Sequence, residues 1–247
     1  MTISKRDAIK AQRTKKKRQQ RRNTLLWVGG FIVLLVLLFI SPMIYNSLKP
    51  AGSFVKITPV VYPMVDGKAI GNPNAKVKVE VYEDFQCPSC KAYTDDAEQQ
   101  LFQSTYITSG EVYYVDRLYP FLDQASITKE SHQAANASMC ALEQGRFWDY
   151  HNILFANQGV VENGGAFNDK RLQAFAESLG LDMTAFNKCF SANKYSADIE
   201  ADFQMGLAAG VHSTPSVFVN GTEVTPGFRP TYNDLKSAID AALASGG

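Results

Sequence analysis

Two of the four cysteines in this chain of 247 residues lie close together, at positions 87 and 90 of the stretch EDFQCPSCKAY. Two cysteines separated by two residues occur in zinc sites, in structural disulfides and in redox-active thiol pairs. The other two cysteines, Cys140 and Cys189, are isolated in the sequence. Cys87-Pro-Ser-Cys90 therefore has three interpretations, and the elements around it must decide between them.

The motif lies where a predicted strand meets a predicted helix. Apolar residues at 77, 79 and 81 alternate with charged ones, which indicates a strand. Beyond Pro88, the residues Cys90, Tyr93, Ala97 and Leu101 have helical spacing. Free N–H groups at a helix N-terminus favour an anion, so we expect a lowered pKa for Cys87 and a more shielded Cys90. This arrangement suits a nucleophile and its resolving partner.

The N-terminal region predicts a membrane anchor. Residues 1–24 are strongly basic, and residues 25–45 contain no charge. At 1.5 Å per residue, that apolar run measures about 30 Å as a helix, enough to cross a bilayer. A basic cytoplasmic tail would place the rest of the chain outside the cytoplasm, where disulfides persist. The alternative is a cleaved signal peptide, for which Ala51-Gly52-Ser53 is a weak cleavage site.

Charge supports the same division of the chain. Residues 1–22 carry ten Lys or Arg and one acid, so residues 23–247 carry 15 basic and 23 acidic side chains, a net charge near −8. An acidic exported part does not indicate binding to nucleic acid. We expect the N-terminal region to contact the lipid bilayer through residues 25–45.

The remaining sequence predicts one α/β unit interrupted by helices. Residues 46–59 are interpreted as a linker, a second strand is expected at 111–118, and Asn220-Gly221 predicts a hairpin before a last helix at 231–244. Between them, helical periodicity is found at 131–144, 147–157, 169–179, 182–190 and 196–209. The predicted boundaries are 60–122 and 211–247 for the α/β part and 123–210 for an all-helical insertion.

Three segments in this order resemble the DsbA-like thiol-disulfide oxidoreductases of the thioredoxin superfamily: DFQCPSC, CALEQGRFWDYHNILFANQ and GVHSTPSVFVNG. The resemblance covers residues 60–247 and implies a thioredoxin fold with an inserted helical domain. It also implies that Cys87 is the nucleophile, that Cys90 is the resolving cysteine, and that Thr214-Pro215 forms a cis-proline loop. The backbone of Thr214 would then be available to an extended substrate peptide.

Two positions depart from the pattern of that family. Many relatives have a buried acid six residues before the first cysteine, and this chain has Val81 there. Glu83, and with it Asp84, is the nearest replacement as a proton relay, although an acid at the end of a strand is usually solvated. Ser89 stands where the best-known oxidase has histidine, which predicts a weaker oxidant. Thr214 before the proline also occurs in isomerase-type relatives.

Four cysteines allow three pairings, and the one that keeps Cys87 and Cys90 together joins Cys140 to Cys189. We expect a structural disulfide there, as in some relatives, with a second redox pair as the alternative. No metal site is expected, because Cys140 and Cys189 stand alone and the three histidines form no close-spaced pair. His151 is expected, with Trp148, to pack within the helical insertion.

The sequence therefore predicts a membrane-anchored thiol-disulfide oxidoreductase with no cofactor. Its expected substrates are reduced exported proteins, and the family resemblance implies a quinone-linked membrane protein that reoxidises it. An oxidase is favoured over an isomerase or reductase because no room for a dimerisation domain exists between the apolar run and Val77. A membrane-tethered binding module with a structural CxxC bridge is the second functional class.

Overall fold

The computed structural model describes residues 5–48, 50–124 and 127–246. Small parts of the predicted regions lie outside the described residues: 1–4 of the basic tail, 49 of the linker, 125–126 of the insertion, and 247. The chain forms two compact units, Met1–Pro50 and Ala51–Gly247.

The first unit is one long helix, α1 (Lys5–Leu48). Within it, Lys15–Ser41 is long and apolar enough to cross a membrane. Its 27 residues would extend about 40 Å as a helix. The apolar side chains from Leu25 to Ile40 are exposed, as a lipid-facing helix requires. Length and composition are therefore compatible with a single-pass anchor.

The second unit contains a six-stranded mixed sheet in the order β1-β2-β4-β3-β5-β6. The central strand β3 pairs in parallel with β4 and antiparallel with β5. The strands are β1 (Val65–Asp66), β2 (Ala69–Gly71), β3 (Val77–Glu83), β4 (Val112–Leu118), β5 (Ser216–Val219) and β6 (Thr222–Glu223).

Helices follow the strands as the sequence predicts, and among the described residues five α-helices lie between β4 and β5. The helices of this unit are α2 (Pro88–Tyr93), α3 (Gln99–Phe102), α4 (Thr105–Thr108), α5 (Glu130–Leu142), α6 (Phe147–Ala156), α7 (Asp169–Ser178), α8 (Met183–Ser191), α9 (Ser196–Ala208) and α10 (Tyr232–Ala244). A π turn, Thr94–Glu98, joins α2 to α3, and Phe121–Asp123 forms a short 3-10 helix.

The predicted hairpin connects β5 to β6 through Asn220 and Gly221, which have φ values of 47° and 81°. Two positive φ values suit the tight turn that matches the twist of paired strands. The hairpin of β1 and β2 was not predicted, because its strands have only two and three residues and show no measurable alternation. β2 nevertheless extends the sheet by pairing with β4.

The structure does not show a linker in the second half of the predicted linker region, residues 46–59. Residues 51–59 belong to the second unit and pack on the insertion. The ring of Phe54 meets that of Phe175 edge to face at 5.0 Å between centroids, and the backbone of Val55 exchanges two hydrogen bonds with the side chain of Asn157. Apolar and hydrogen-bonded contacts fix this segment although it has no regular secondary structure.

A disulfide joins Cys140 in α5 to Cys189 in α8 within the insertion, across 49 residues of sequence. Closing a loop of this length stabilises the native state by about 4 kcal/mol on the chain-entropy model. The insertion is not a separate globule, since one core cluster contains buried residues of β3, such as Val81, and of α6, such as Ile153. The insertion can therefore supply side chains to the end of the sheet.

Candidate active site

The two cysteines of the motif lie just beyond the C-terminal end of β3. Cys87 is the residue that precedes α2, and Pro88 occupies the first helical position, where a missing N–H costs nothing. Both cysteines are free thiols. Cys87 retains 9% of its accessible surface and Cys90 retains none, so a partner molecule can reach only Cys87.

The surroundings separate the pKa values of the two thiols. A hydrogen bond from Cys90 is the largest influence on Cys87, and together with Thr214 and the N–H groups of Ser89 and Cys90 it outweighs burial and lowers the pKa of Cys87 from 9.0 to about 6. Burial, followed by the hydrogen bond and charge of Cys87, raises the pKa of Cys90 well above its ordinary value. Cys87 is therefore the thiolate and Cys90 the protonated thiol at neutral pH.

A cis peptide bond joins Thr214 to Pro215, and Thr214 lies against Cys87. The sulfur of Cys87 lies 3.3 Å from the carbonyl oxygen of Thr214, to which it donates a hydrogen bond when it is protonated. The next residue, Ser216, opens β5 and pairs with Tyr82 of β3. Pairing of β5 with β3 thus holds the Thr214 backbone beside the reactive sulfur.

Residues of the insertion also hold the motif in place. The amide of Gln158 donates hydrogen bonds to the carbonyl oxygens of Phe85, at 2.8 Å, and Cys87, at 2.9 Å. The amide of Gln86 donates to Ser131, and its oxygen accepts from the backbone of Asn163 at 2.6 Å. None of these polar contacts could be read from the spacing of residues along the chain.

Two acids lie beside Val81, where the family has its buried acid. Glu83 follows two residues later on β3 and faces the same side of the sheet, because side chains alternate along a strand. Asp116 of β4 is the direct register partner of Val81. Both acids are buried, with 2% and 0% of their surfaces exposed. The expectation that an acid at the strand end is solvated is therefore wrong for Glu83.

His151 of α6 reaches this cluster, with Nε2 at 2.9 Å from Glu83 Oε1 and at 3.9 Å from oxygens of Asp116 and Glu98. The prediction that His151 only packs within the insertion is thus corrected, since its ring contacts a carboxyl of the central strand. Trp148 also reaches beyond the insertion, since its ring lies near those of Tyr62, Phe102 and Tyr114 in the α/β part.

The π turn explains why Glu98 joins the cluster. The wider turn buries Thr94, Ala97 and Glu98 together, and the hydroxyl of Tyr114 donates to Glu98 at 2.8 Å. The spacing of Ala97 and Leu101 fits an uninterrupted α-helix, so the turn could not be predicted. Asp116 did carry a signal, because it shares alternation with Val112 and Tyr114 on the predicted strand.

Burial governs the charge state of this cluster. It is the largest influence on Glu83, whose pKa is raised from 4.5 to about 8, with the charges of Cys87 and Asp84 acting in the same direction. Burial also raises the pKa of Glu98 to about 8 and that of Asp116 well above its ordinary value. These acids therefore retain protons at neutral pH.

Asp84, the other predicted proton relay, has a different environment. Its oxygens accept hydrogen bonds from the Ser131 hydroxyl at 2.6 Å, the Gln86 N–H at 2.8 Å and the Leu122 N–H at 2.9 Å. Burial raises its pKa to about 7 although these donors oppose the change. Since its oxygens already have partners, Asp84 fixes the loop after β3 and leaves Glu83 as the better candidate to exchange a proton.

The oxygens of Glu83 and Asp116 and a ring nitrogen of His151 lie within 4.8 Å of one another, close enough for a cation. The ring nitrogen, however, is already hydrogen-bonded to Glu83 at 2.9 Å. We therefore assign no metal to this cluster.

We expect alkylation of Cys87 by iodoacetamide to accelerate with pH through a midpoint near 6, because only the thiolate reacts. A Cys90→Ala variant loses the hydrogen bond that does most to lower this pKa, so its midpoint should move upward. Mass spectrometry of the full chain across pH measures both profiles. A midpoint near the ordinary 9.0 in the unmodified chain would contradict the geometry.

Comparison with known proteins identifies the family of this chain. A family model described as Thioredoxin matches residues 64–241. The Probable disulfide bond formation protein D of Bacillus cereus is 26% identical over 214 residues, which cover 85% of this chain and 92% of that protein. The structure of oxidised BdbD from Bacillus subtilis has the same fold, with a TM-score of 0.63 and 21% identity over 77% of this chain and all of that one.

A longer protein contains a similar region. The Na(+)/H(+) antiporter NhaA 3 of Salinispora tropica is 31% identical over 177 residues, which cover 71% of this chain. The chain spans only 24% of that antiporter's length. The fold, the paired cysteines at the end of its central strand and the matching family model agree, and the chain belongs to the thioredoxin family as a DsbA-like thiol-disulfide oxidoreductase.

Proposed function

We propose that this protein is a membrane-anchored oxidase that introduces disulfides into exported proteins through Cys87 and Cys90. The observation that carries the proposal is the difference between the two thiols. Stabilising the Cys87 thiolate favours the reduced form of the pair, and a pair with a stabilised reduced form is a strong oxidant. The buried Cys90 serves as the resolving cysteine.

The reaction starts from the Cys87–Cys90 disulfide. A substrate thiolate attacks the Cys87 sulfur, the bond to Cys90 breaks, and Cys90 leaves as a thiolate that takes up a proton. A second substrate thiolate then attacks the substrate sulfur of the mixed disulfide and releases the Cys87 thiolate. Two electrons pass from two substrate thiols to the cysteine pair. A Cys87 pKa of about 6 makes it a good leaving group in the second step.

The backbone at Thr214 is the proposed substrate edge. Pro215 has no N–H, and β5 holds Thr214 within hydrogen-bonding distance of the Cys87 sulfur. An extended peptide can pair with this backbone as an added strand, which would place its cysteine at Cys87. Main-chain pairing of this kind accepts many sequences, as an enzyme acting on many exported proteins requires.

Glu83 is the proposed proton relay for Cys90. The backbone N–H of the following residue, Asp84, donates to the Cys90 sulfur at 3.4 Å, and the charge of Glu83 contributes to the raised pKa of Cys90. Protonated Glu83 supplies the proton that the buried Cys90 thiolate needs. Glu83, with Asp116 beside it, replaces the buried acid that many relatives have at the position of Val81.

The apolar helix is the proposed anchor, with residues 25–45 in the bilayer, the basic tail in the cytoplasm and the catalytic unit outside. The excess of Lys and Arg before residue 25 supports this orientation. Anchoring would raise the effective concentration of the catalytic unit near a quinone-linked membrane oxidase that reoxidises it. Reduced exported proteins and that oxidase are its proposed partners.

The direct test mixes the full chain, purified in detergent and oxidised at Cys87–Cys90, with a reduced, unfolded polypeptide that has two cysteines. We expect one new disulfide in the polypeptide for each chain reduced, and none with a Cys87→Ser variant. Resistance of the Cys87–Cys90 bond in the folded chain would instead indicate a structural bridge. Rearrangement of a mispaired substrate faster than oxidation of a reduced one would indicate an isomerase.

A further inference from the structure

One side chain of the insertion binds two backbone carbonyls of the corner between β3 and α2, residues 84–87. The amide nitrogen of Gln158 donates to the carbonyl oxygen of Phe85 at 2.8 Å and to that of Cys87 at 2.9 Å. A glutamine amide has two N–H hydrogens, so each carbonyl can receive one of them. Phe85 and Cys87 are buried, whereas Gln158 is partly exposed. A single amide group thus spans the three residues that end with the reactive cysteine.

The carbonyl of Cys87 also begins the hydrogen bonding of α2, because it accepts the N–H of Lys91 at 3.1 Å. Cys87 itself has a ψ of 119°, outside the helical range. A change in this ψ would turn the helix relative to the Cys87 side chain. The N–H groups of Ser89 and Cys90, which hydrogen-bond to the Cys87 sulfur, would turn with it. A donor that grips the carbonyl of Cys87 opposes this rotation.

The end of α6 holds Gln158 in place. The side chain of the preceding Asn157 exchanges hydrogen bonds of 2.7 and 2.8 Å with the backbone of Val55. The ring of Phe155 lies 5.2 Å from that of Phe85 between centroids. Neither contact involves the side chain of Gln158. Removing its amide should therefore release the two carbonyls without detaching α6 from the corner.

Other polar contacts of the insertion reach the corner through side chains. The hydroxyl of Ser131 donates to the carboxyl of Asp84 and accepts from the amide of Gln86. These bonds fix side chains that precede the reactive cysteine. Gln158 differs because both of its acceptors are backbone carbonyls, and one of them belongs to Cys87 itself.

We propose that Gln158 is a positioning residue that fixes the first turn of α2 and keeps the N–H groups of Ser89 and Cys90 directed at the Cys87 sulfur. The inference rests on the proposed function, because it gives Gln158 a share in making the cysteine pair oxidising. A thiolate that retains its N–H donors is more stable, and a more stable thiolate favours the reduced form of the pair. Gln158 acts only through the backbone of Cys87.

Two variants separate the hydrogen bonds of Gln158 from its bulk. Gln158→Leu removes both N–H donors, while Gln158→Glu keeps the shape but turns carboxylate oxygens toward the two carbonyls. In Gln158→Leu we expect the alkylation midpoint of Cys87 to rise by about one pH unit, a modest share of a hydrogen bond to a charged group. At pH 8 the reduced form should become up to about tenfold less favoured, which lowers the reduction potential by about 30 mV. Gln158→Glu should shift both quantities at least as far.

The experiment uses the full chain in detergent. Iodoacetamide alkylation across pH gives the midpoint of Cys87, and equilibration with glutathione buffers at pH 8 gives the potential, both read by mass spectrometry. Gln144→Leu is the matched control, because Gln144 is a partly exposed glutamine of the insertion whose amide bonds to the backbone of Asp182. It should change neither quantity. If Gln158→Leu fails to fold, Gln158→Asn, whose amide is one methylene shorter, replaces it with the same direction expected.

An unchanged midpoint and potential in Gln158→Leu, or in Gln158→Asn where that variant is used, would overturn the inference and leave the proposed oxidase intact. A potential at pH 8 that falls in Gln158→Leu but not in Gln158→Glu would also overturn it, because the effect would then come from packing. Equal shifts in Gln144→Leu would do the same. An unmodified chain with a potential at or below that of thioredoxin would instead contradict the proposed function, and the variants would still decide the role of Gln158.

Discussion

A Cys90→Ser variant expressed in cells accumulates covalent complexes with exported proteins, all of them joined through Cys87. This result is expected because Cys87 remains a reactive thiolate with a pKa of about 6, whereas the sulfur that resolves its mixed disulfides is gone. Turnover of a reduced polypeptide should fall to the uncatalysed rate. Gel electrophoresis without reductant, followed by mass spectrometry, identifies the trapped partners.

The reciprocal variant is the matched control. Cys87→Ser leaves Cys90, which has no exposed surface and a pKa raised well above its ordinary value, so it should trap almost nothing. Equal amounts of adduct from both variants would show that the two thiols do not have the different roles assigned to them. Recovery of cytoplasmic partners alone would contradict the proposed topology.

A Glu83→Gln variant should lose exchange activity. Its stability relative to the unmodified chain should increase as the pH rises. Removing the acid that serves Cys90 should slow turnover by about 100-fold, the lower end of general acid-base effects. Glu83 has a native pKa of about 8 against 4.5 in the unfolded chain, so the native state favours its neutral form. That contribution is complete below pH 4.5 and is lost as the pH rises through 8. Glutamine stays neutral throughout.

The measurement is denaturant unfolding of the full chain in detergent from pH 5 to 9, with turnover assayed in parallel. Glu111→Gln is the control, since Glu111 is an exposed acid that immediately precedes β4 and should change neither quantity. A difference in stability between Glu83→Gln and the unmodified chain that does not vary with pH would show that Glu83 is ionised in the native state. Unchanged turnover would remove it from the mechanism.

The sequence predicts the frame of the site because that frame depends on local patterns. Alternation at 77–81 predicts β3, and Pro88 marks the start of α2, so Cys87 had to lie at a strand-to-helix junction. The same alternation, continued by one step, places Glu83 on the buried face with Val81. The prediction of a solvated acid was wrong because the insertion covers the end of β3, and tertiary cover is not a local property of the strand.

The rest of the cluster needs the fold. Asp116 becomes relevant only when β4 pairs with β3 and brings it beside Val81. Glu98 turns inward because of a π turn that the apolar spacing does not reveal. His151 lies 68 residues from Glu83 in sequence, and its position on a largely buried helix agreed equally well with simple packing. The acid-base groups of this site come together only through contacts between elements that are distant in sequence.

The reduction potential of the Cys87–Cys90 pair in the full chain tests the central claim most directly. Equilibration against glutathione buffers, with alkylation and mass spectrometry to count free thiols, gives the value. A stabilised Cys87 thiolate predicts a reduction potential clearly above the roughly −270 mV of thioredoxin. Because Ser89 stands in place of histidine, the potential should remain below the roughly −120 mV of the strongest oxidant of this fold. A potential at or below that of thioredoxin would contradict the oxidase and indicate a reductase.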